Sequence, residues 1–156
     1  MQVELAGGKV VVKATPGALV GPPWSKRQNA LLVRENTDAS NLTLFYEPHA
    51  SHEQAALEAI GKVDIAIIPT RSAYAMGYPV VEGYQNAQNI LTTLKPSIVV
   101  PFKNNESSYT GIASALLSTA GSDDVHAVKQ MLESASLGHI SVVGADEIGK
   151  PVHLSA

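Results

Sequence analysis

The stretch Val63-Asp64-Ile65-Ala66-Ile67-Ile68-Pro69 decides the fold class. It is a nearly continuous apolar run of strand length, too short for a buried helix and rich in β-branched residues, as expected of a strand buried on both faces. Working outward, Ser97-Ile98-Val99-Val100-Pro101 is a second strand of the same kind. Between the two, Val80, Tyr84, Ala87, Leu91 and Leu94 fall at helical spacing, which predicts a helix over Val80 to Leu94 stopped by Lys95-Pro96. On the N-terminal side, Ser51 and Gln54 have capping-box spacing. They open a helix with Ala56, Leu57 and Ile60 inward and Gly61 as its left-handed terminator.

Upstream the pattern changes. Lys9-Val10-Val11-Val12-Lys13, Ala30-Leu31-Leu32-Val33 and Leu42-Thr43-Leu44-Phe45-Tyr46 read as three strands with no helix between them, an antiparallel meander. Downstream, helices are expected over Gly111 to Leu117 and Asp123 to Ala135, the second capped by Ser122 with Val125, Val128 and Leu132 facing the core. Strands His139 to Val143 and Pro151 to Leu154 finish the chain. The order β-β-β-α-β-α-β-α-α-β-β is an α/β protein with a mixed sheet. Right-handed crossovers that run one way across a sheet put their helices on one face. The other face of these doubly apolar strands is then bare, at a cost of about 25 cal/mol per Å² of exposed apolar area. A second sheet is wanted there.

Composition narrows the function. With 156 residues, 45% of them hydrophobic and a net charge of −3, the chain has enough apolar material for one core. It has neither a basic stripe for nucleic acid nor an apolar run near the roughly 18 residues of a membrane span. There is no cysteine, hence no disulfide, no thiolate cage and no thiol nucleophile. Met1 to Gly8 lacks a basic n-region, so no secretory signal is read. The expected location is intracellular: cytoplasmic, or the plastid stroma for a photosynthetic source. No G-x-G-x-x-G, Walker or G-x-S-x-G stretch occurs.

Several stretches, in order, look familiar: Ala14-Thr15-Pro16-Gly17, Gly21-Pro22-Pro23-Trp24, Asn29 to Val33, Leu44-Phe45-Tyr46-Glu47-Pro48-His49, Val63 to Pro69, Leu94-Lys95-Pro96 and Val99-Val100-Pro101. Together, from Gly8 to Leu117, they resemble the metallo-β-lactamase fold hydrolases, in particular a divergent branch with a Tyr-Glu-Pro-His stretch. The resemblance implies a four-layer αββα architecture of two βα halves, of which residues 1–156 resemble the second as a single half-domain. It also implies a dinuclear metal centre that opens with His-x-His-x-Asp-His in the first half. No such stretch is present here. Where the family places a later His, this chain has Pro16-Gly17-Ala18-Leu19; the bridging Asp falls at about His49, and the last His at about Lys103. The metal site is thus expected to be degenerate or incomplete.

Three clusters carry candidate chemistry. Glu47, His49 and His52 offer carboxylate and imidazole donors, with His49 and His52 as ligands of a zinc ion, or with Glu47 and His49 as an acid/base pair. Equally, Pro48 shapes a strand-to-helix turn around which His49 bonds the backbone. Trp24, Lys26 and Arg27, in a Gly/Pro-rich loop, could hold a small anionic ligand or form a solvated loop. Lys103 and Asn104, with Asn105, follow a buried strand at its C-terminal end, where α/β sheets bind ligands. Asp64 is expected to order a neighbouring backbone N–H, and Tyr74, Met76 and Tyr78 to form an apolar loop. His126, His139 and His153 are assigned no role. Two functions remain: a non-catalytic or binding half-domain completed by self-association as a homodimer or by an N-terminal half, and an active hydrolase of a small ester, amide or phosphoester using Glu47, His49 and His52.

Overall fold

A computed structural model describes residues 2–38, 40–102 and 115–144. Ten strands and three α-helices are present among them. The strands are β1 (Gln2–Leu5), β2 (Val10–Leu19), β3 (Arg27–Glu35), β4 (Thr43–Tyr46), β5 (Ile65–Ile68), β6 (Arg71–Ala75), β7 (Tyr78–Glu82), β8 (Ile98–Pro101), β9 (Leu117–Gly121) and β10 (Ser141–Val142). The helices are α1 (Gln54–Ile60), α2 (Gly83–Leu94) and α3 (Val125–Ser134). The main sheet has the order β1-β2-β3-β4-β5-β8-β10, and β7-β6-β9 form a smaller one.

The meander is present as expected: β1 to β4 pair antiparallel, whereas β4/β5, β5/β8 and β8/β10 pair parallel across helical crossovers. Every crossover steps the same way, so the helices gather on one face. One buried cluster joins Ala30 and Leu32 of β3, Phe45 of β4, Ala66 and Ile68 of β5 and Val99 of β8 to Leu57 of α1, Ile90 and Leu94 of α2 and Val128 and Leu132 of α3. The alternate residues point the other way. Register aligns Val33 with Val12 and Leu44, Leu44 with Ile65, Leu31 with Tyr46, Tyr46 with Ile67, and Ile67 with Val100, in a continuous apolar band across five strands. In this band Val33, Leu44, Ile67 and Val100 remain only half-buried, and Val3 of β1 is exposed. The sheet is therefore helix-covered on one side only among the described residues.

Several expectations need correction. Strand β1, Gln2-Val3-Glu4-Leu5, alternates polar and apolar residues and adds to the meander by pairing antiparallel with β2, a strand the reading of the sequence did not include. Helix α1 begins after Glu53, not Ser51: the Ser51 N–H is already taken by the Glu47 carboxylate. Gly61 ends α1 at φ 73, ψ −157, positive in φ but not left-handed helical. Helix α2 starts at Gly83 because Val80 lies in β7, and Tyr84 faces outward while Ala87, Ile90, Leu91 and Leu94 face the core. The Tyr74 to Tyr78 segment is no loop. It is a hairpin whose two turn residues, Met76 (φ 52) and Gly77 (φ 79), have the positive φ that two-residue hairpins require. Asp124 rather than Ser122 caps α3, accepting from the N–H groups of His126 and Ala127. Of the helix expected over Gly111 to Leu117, residues 111–114 lie outside the described residues and Leu117 opens a strand; Pro151 to Leu154 also lie outside.

Two contacts fix the small sheet, one at the end of β9 and one at the start of α2. The Asp123 Oδ1 accepts from the N–H groups of Thr70 and Arg71 and from the Thr70 hydroxyl, at 2.9–3.1 Å. Gly83 lies so close to β6 that a Cβ on it would stand 2.2 Å from the Arg71 carbonyl. Gly83→Ala is therefore expected to destabilise the protein by about 3 kcal/mol, since backbone rather than a flexible side chain must yield; urea denaturation followed by circular dichroism measures it.

Candidate functional site

The C-terminal ends of β4, β5 and β8 open on one edge of the main sheet, where α/β folds place their ligands. Immediately after β4 the chain turns through Glu47-Pro48-His49-Ala50-Ser51. Glu47 is fully buried, 0% exposed, and its Oε2 accepts from the N–H groups of His49 and Ser51 at 2.9 Å each. The carboxylate folds the turn around itself, and Ala50 takes a positive φ of 52 to allow it. The His49 carbonyl in turn accepts from the N–H of Glu82, 2.7 Å away, which ties the turn to the start of α2.

The other carboxylate oxygen is free. Glu47 Oε1 lies 3.7 Å from His49 Nδ1, and both atoms are buried without a hydrogen-bond partner. A buried acceptor and a ring nitrogen left this way are chemically available, for a proton held between them or for a third atom bridging them. His52 does not join them. Its Nε2 sits 3.2 Å from the Asn89 side-chain amide, which also donates to Gln54 Oε1 at 3.2 Å, so the imidazole belongs to a polar seam between α1 and α2. Among the described residues no group of three or more His, Asp or Glu side chains is placed to hold a metal ion. Glu47 and His49 supply two donors, and a zinc site needs three or four. The three-ligand set expected from Glu47, His49 and His52 is not assembled by this fold, because the turn that buries Glu47 sends His52 toward α2.

The basic loop is likewise redistributed. Arg27 forms an ion pair with Glu53, 2.9 Å from Nε to Oε1, and also donates to the Gly17 carbonyl. Both contacts link β2 to the start of α1. Trp24 is 80% exposed and walls nothing, and Lys26 is exposed beside it. Lys103, Asn104 and Asn105 lie outside the described residues. Asp64 does what its position suggested: Oδ2 accepts from the Thr43 N–H at 2.7 Å, fixing the start of β4 against β5. His126 and His139 are exposed, and His153 is outside the described residues.

One residue of the site escaped sequence reading. The Tyr46 ring meets Phe102 edge-on, with centroids 5.8 Å apart, beside the end of β8. Burial, reinforced by the adjacent Glu47 carboxylate, holds the Tyr46 phenol above its ordinary pKa. The signal was present in Tyr46-Glu47, but only the fold shows that both are shielded from water.

Comparison with known proteins follows the same lines. The family model described as a β-lactamase superfamily domain matches residues 2–103. No curated protein sequence matches significantly. Among solved structures, Igni18, a metallo hydrolase from the hyperthermophilic archaeon Ignicoccus hospitalis, is similar in fold with a TM-score of 0.56 at 17% identity, over 92% of this chain and 54% of that one. A Thermotoga maritima protein assigned to the zinc-dependent hydrolases of the metallo-β-lactamase superfamily aligns at 13% identity and a TM-score of 0.45, over 69% of this chain and 48% of that one. The chain thus spans about half the length of the solved structures it matches.

The geometry makes two predictions. Glu47→Ala strips a buried acceptor from two backbone N–H groups and is expected to cost roughly 2–4 kcal/mol of stability in urea unfolding. Tyr46, with its folded pKa raised, contributes stability that is complete below the ordinary tyrosine pKa of 10.0 and is lost as pH rises through the higher folded value. In an ultraviolet titration one tyrosine should therefore ionise late, and Tyr46→Phe should remove that step and flatten the alkaline loss of stability.

Proposed function

The chain belongs to the β-lactamase superfamily domain family, and from that premise we propose that it is a binding half-domain of the metallo-β-lactamase fold, non-catalytic on its own. Its function is to pack its bare sheet face against a second βα half, supplied by another copy or by an N-terminal half. The observation that carries this reading is the asymmetry of the main sheet. Its helix side is sealed, while the band through Val33, Leu44, Ile67 and Val100 is half-open. Burying such a band returns about 25 cal/mol per Å². A second sheet stacked on it gives the four-layer shape, and the match to only 54% of a metallo hydrolase's length agrees with a half.

The reading also accounts for the site. The turn after β4 lies at the sheet edge, but its side chains supply two donors where a catalytic metal needs more. Chemistry at that edge would need groups from the second half. The alternative, a hydrolase of a small ester, amide or phosphoester, draws its support from the free Glu47 Oε1 and His49 Nδ1. No described helix is long and apolar enough to cross a membrane.

Light scattering of the purified chain over a hundredfold concentration range, with metal analysis of the same samples, tests the proposal. A dimer without stoichiometric metal is expected. Val33→Lys on the open band should dissociate or unfold it, because an ammonium would be buried unpaired between two sheets. Stoichiometric metal that is lost in His49→Ala would support the hydrolase instead. A folded, metal-free monomer would refute both accounts of the open face.

A further inference from the structure

A second concavity lies away from the sheet edge, between the small sheet and the first turn of α2. Its volume is about 390 Å³, and Tyr74, Pro79, Glu82, Tyr84, Asn86 and Ala120 form most of its walls. The strand register explains how they meet. Ser72 pairs with Glu82 on one side and Ala120 on the other, and Tyr74 pairs with Pro79, so these residues share one face of the β7-β6-β9 sheet. Helix α2 then lays Tyr84 across the end of that face. The ring is seated on Gly121, where a Cβ would stand 3.1 Å from Tyr84 Cδ2, and the Tyr84 N–H donates to Ser72 Oγ. Tyr74 and Tyr84 both line the cavity.

Charge then selects the ligand. Glu82 is the one charged residue lining this cavity. Its Oε2 is held by the Asn86 side-chain amide one helical turn away, and it has no Lys, Arg or His partner among the described residues. A carboxylate without a counter-ion in a cavity also lined by two tyrosines attracts a cation and repels an anion. The apolar contributions of Pro79 and Ala120 suit a cation that carries its own hydrocarbon. A hydrated metal ion is excluded from the choice by the same surroundings, which offer one carboxylate and no second hard donor of like charge. We propose that this cavity is a binding site for a small organic cation of the alkylated-ammonium class. The site uses neither the open sheet face nor the Glu47 turn, and it stands or falls independently of the proposed function.

The test uses choline and its uncharged carbon isostere, 3,3-dimethylbutan-1-ol, titrated into the whole chain and followed by NMR chemical shifts. Choline is expected to bind saturably and at least about tenfold tighter than the isostere, because the charge supplies the attraction. Glu82→Gln retains the hydrogen-bonding shape for Asn86 and should weaken choline by at least about tenfold while leaving the isostere unchanged. Tyr84→Ala, checked for native circular dichroism, should weaken choline similarly. Equal binding of choline and isostere, indifference of choline to Glu82→Gln, or no saturable choline binding at all would each overturn the proposal.

Discussion

The structure depends on a mismatch between its strands and its helices. Strands β4, β5 and β8 carry apolar side chains on both faces, whereas crossovers that all step one way can seal only one face. On the sealed side, Ile90, Leu91 and Leu94 of α2 share one buried cluster with Ala66 of β5 and Val99 of β8. On the other side, Val33, Leu44, Ile67 and Val100 stay half-buried, with no described helix over them.

The site follows from a second constraint, the burial of one carboxylate. Glu47 has no Lys or Arg partner among the described residues; the backbone N–H groups of His49 and Ser51 hold one of its oxygens instead. That arrangement bends the chain tightly ahead of α1, and His52 beyond it meets Asn89 of α2. Arg27 is also paired, with the Glu53 carboxylate and the Gly17 carbonyl, in an exposed contact between β2 and the start of α1.

Much of this was legible in the residues. Strand β5 declared itself because a run such as Ile65 to Ile68 has one stable home, and the antiparallel meander followed from three apolar runs with nothing helical between them. The one-sided placement of helices came from chain order alone. What failed was local and depended on partners distant in sequence. Ser51 has the spacing of a cap, yet Glu47 reaches it first. Val80 continues a helical pattern, yet β6 captures it as a strand, and Tyr84 consequently faces outward. Glu47, His49 and His52 are close enough along the chain to suggest a cluster, but adjacency cannot reveal that a turn separates the last from the others. The family resemblance gave the fold, while the particular contacts of Arg27, Asp123 and Tyr46 needed three dimensions.

Strand order in the main sheet has a further meaning. Read from one edge, β1-β2-β3-β4-β5-β8-β10 is also the order in which the ribosome makes them. Among the described residues no later strand of this sheet is inserted between two earlier ones. Each new strand therefore finds a finished edge waiting for it, and the sheet can grow by accretion as the chain emerges. Folding need not await the C-terminus, and the slow step moves from threading to the addition of each parallel strand, whose partner is distant in sequence. Deleting the last strand would expose a new edge and leave no gap, whereas deleting β4 would split the sheet between its antiparallel and parallel parts.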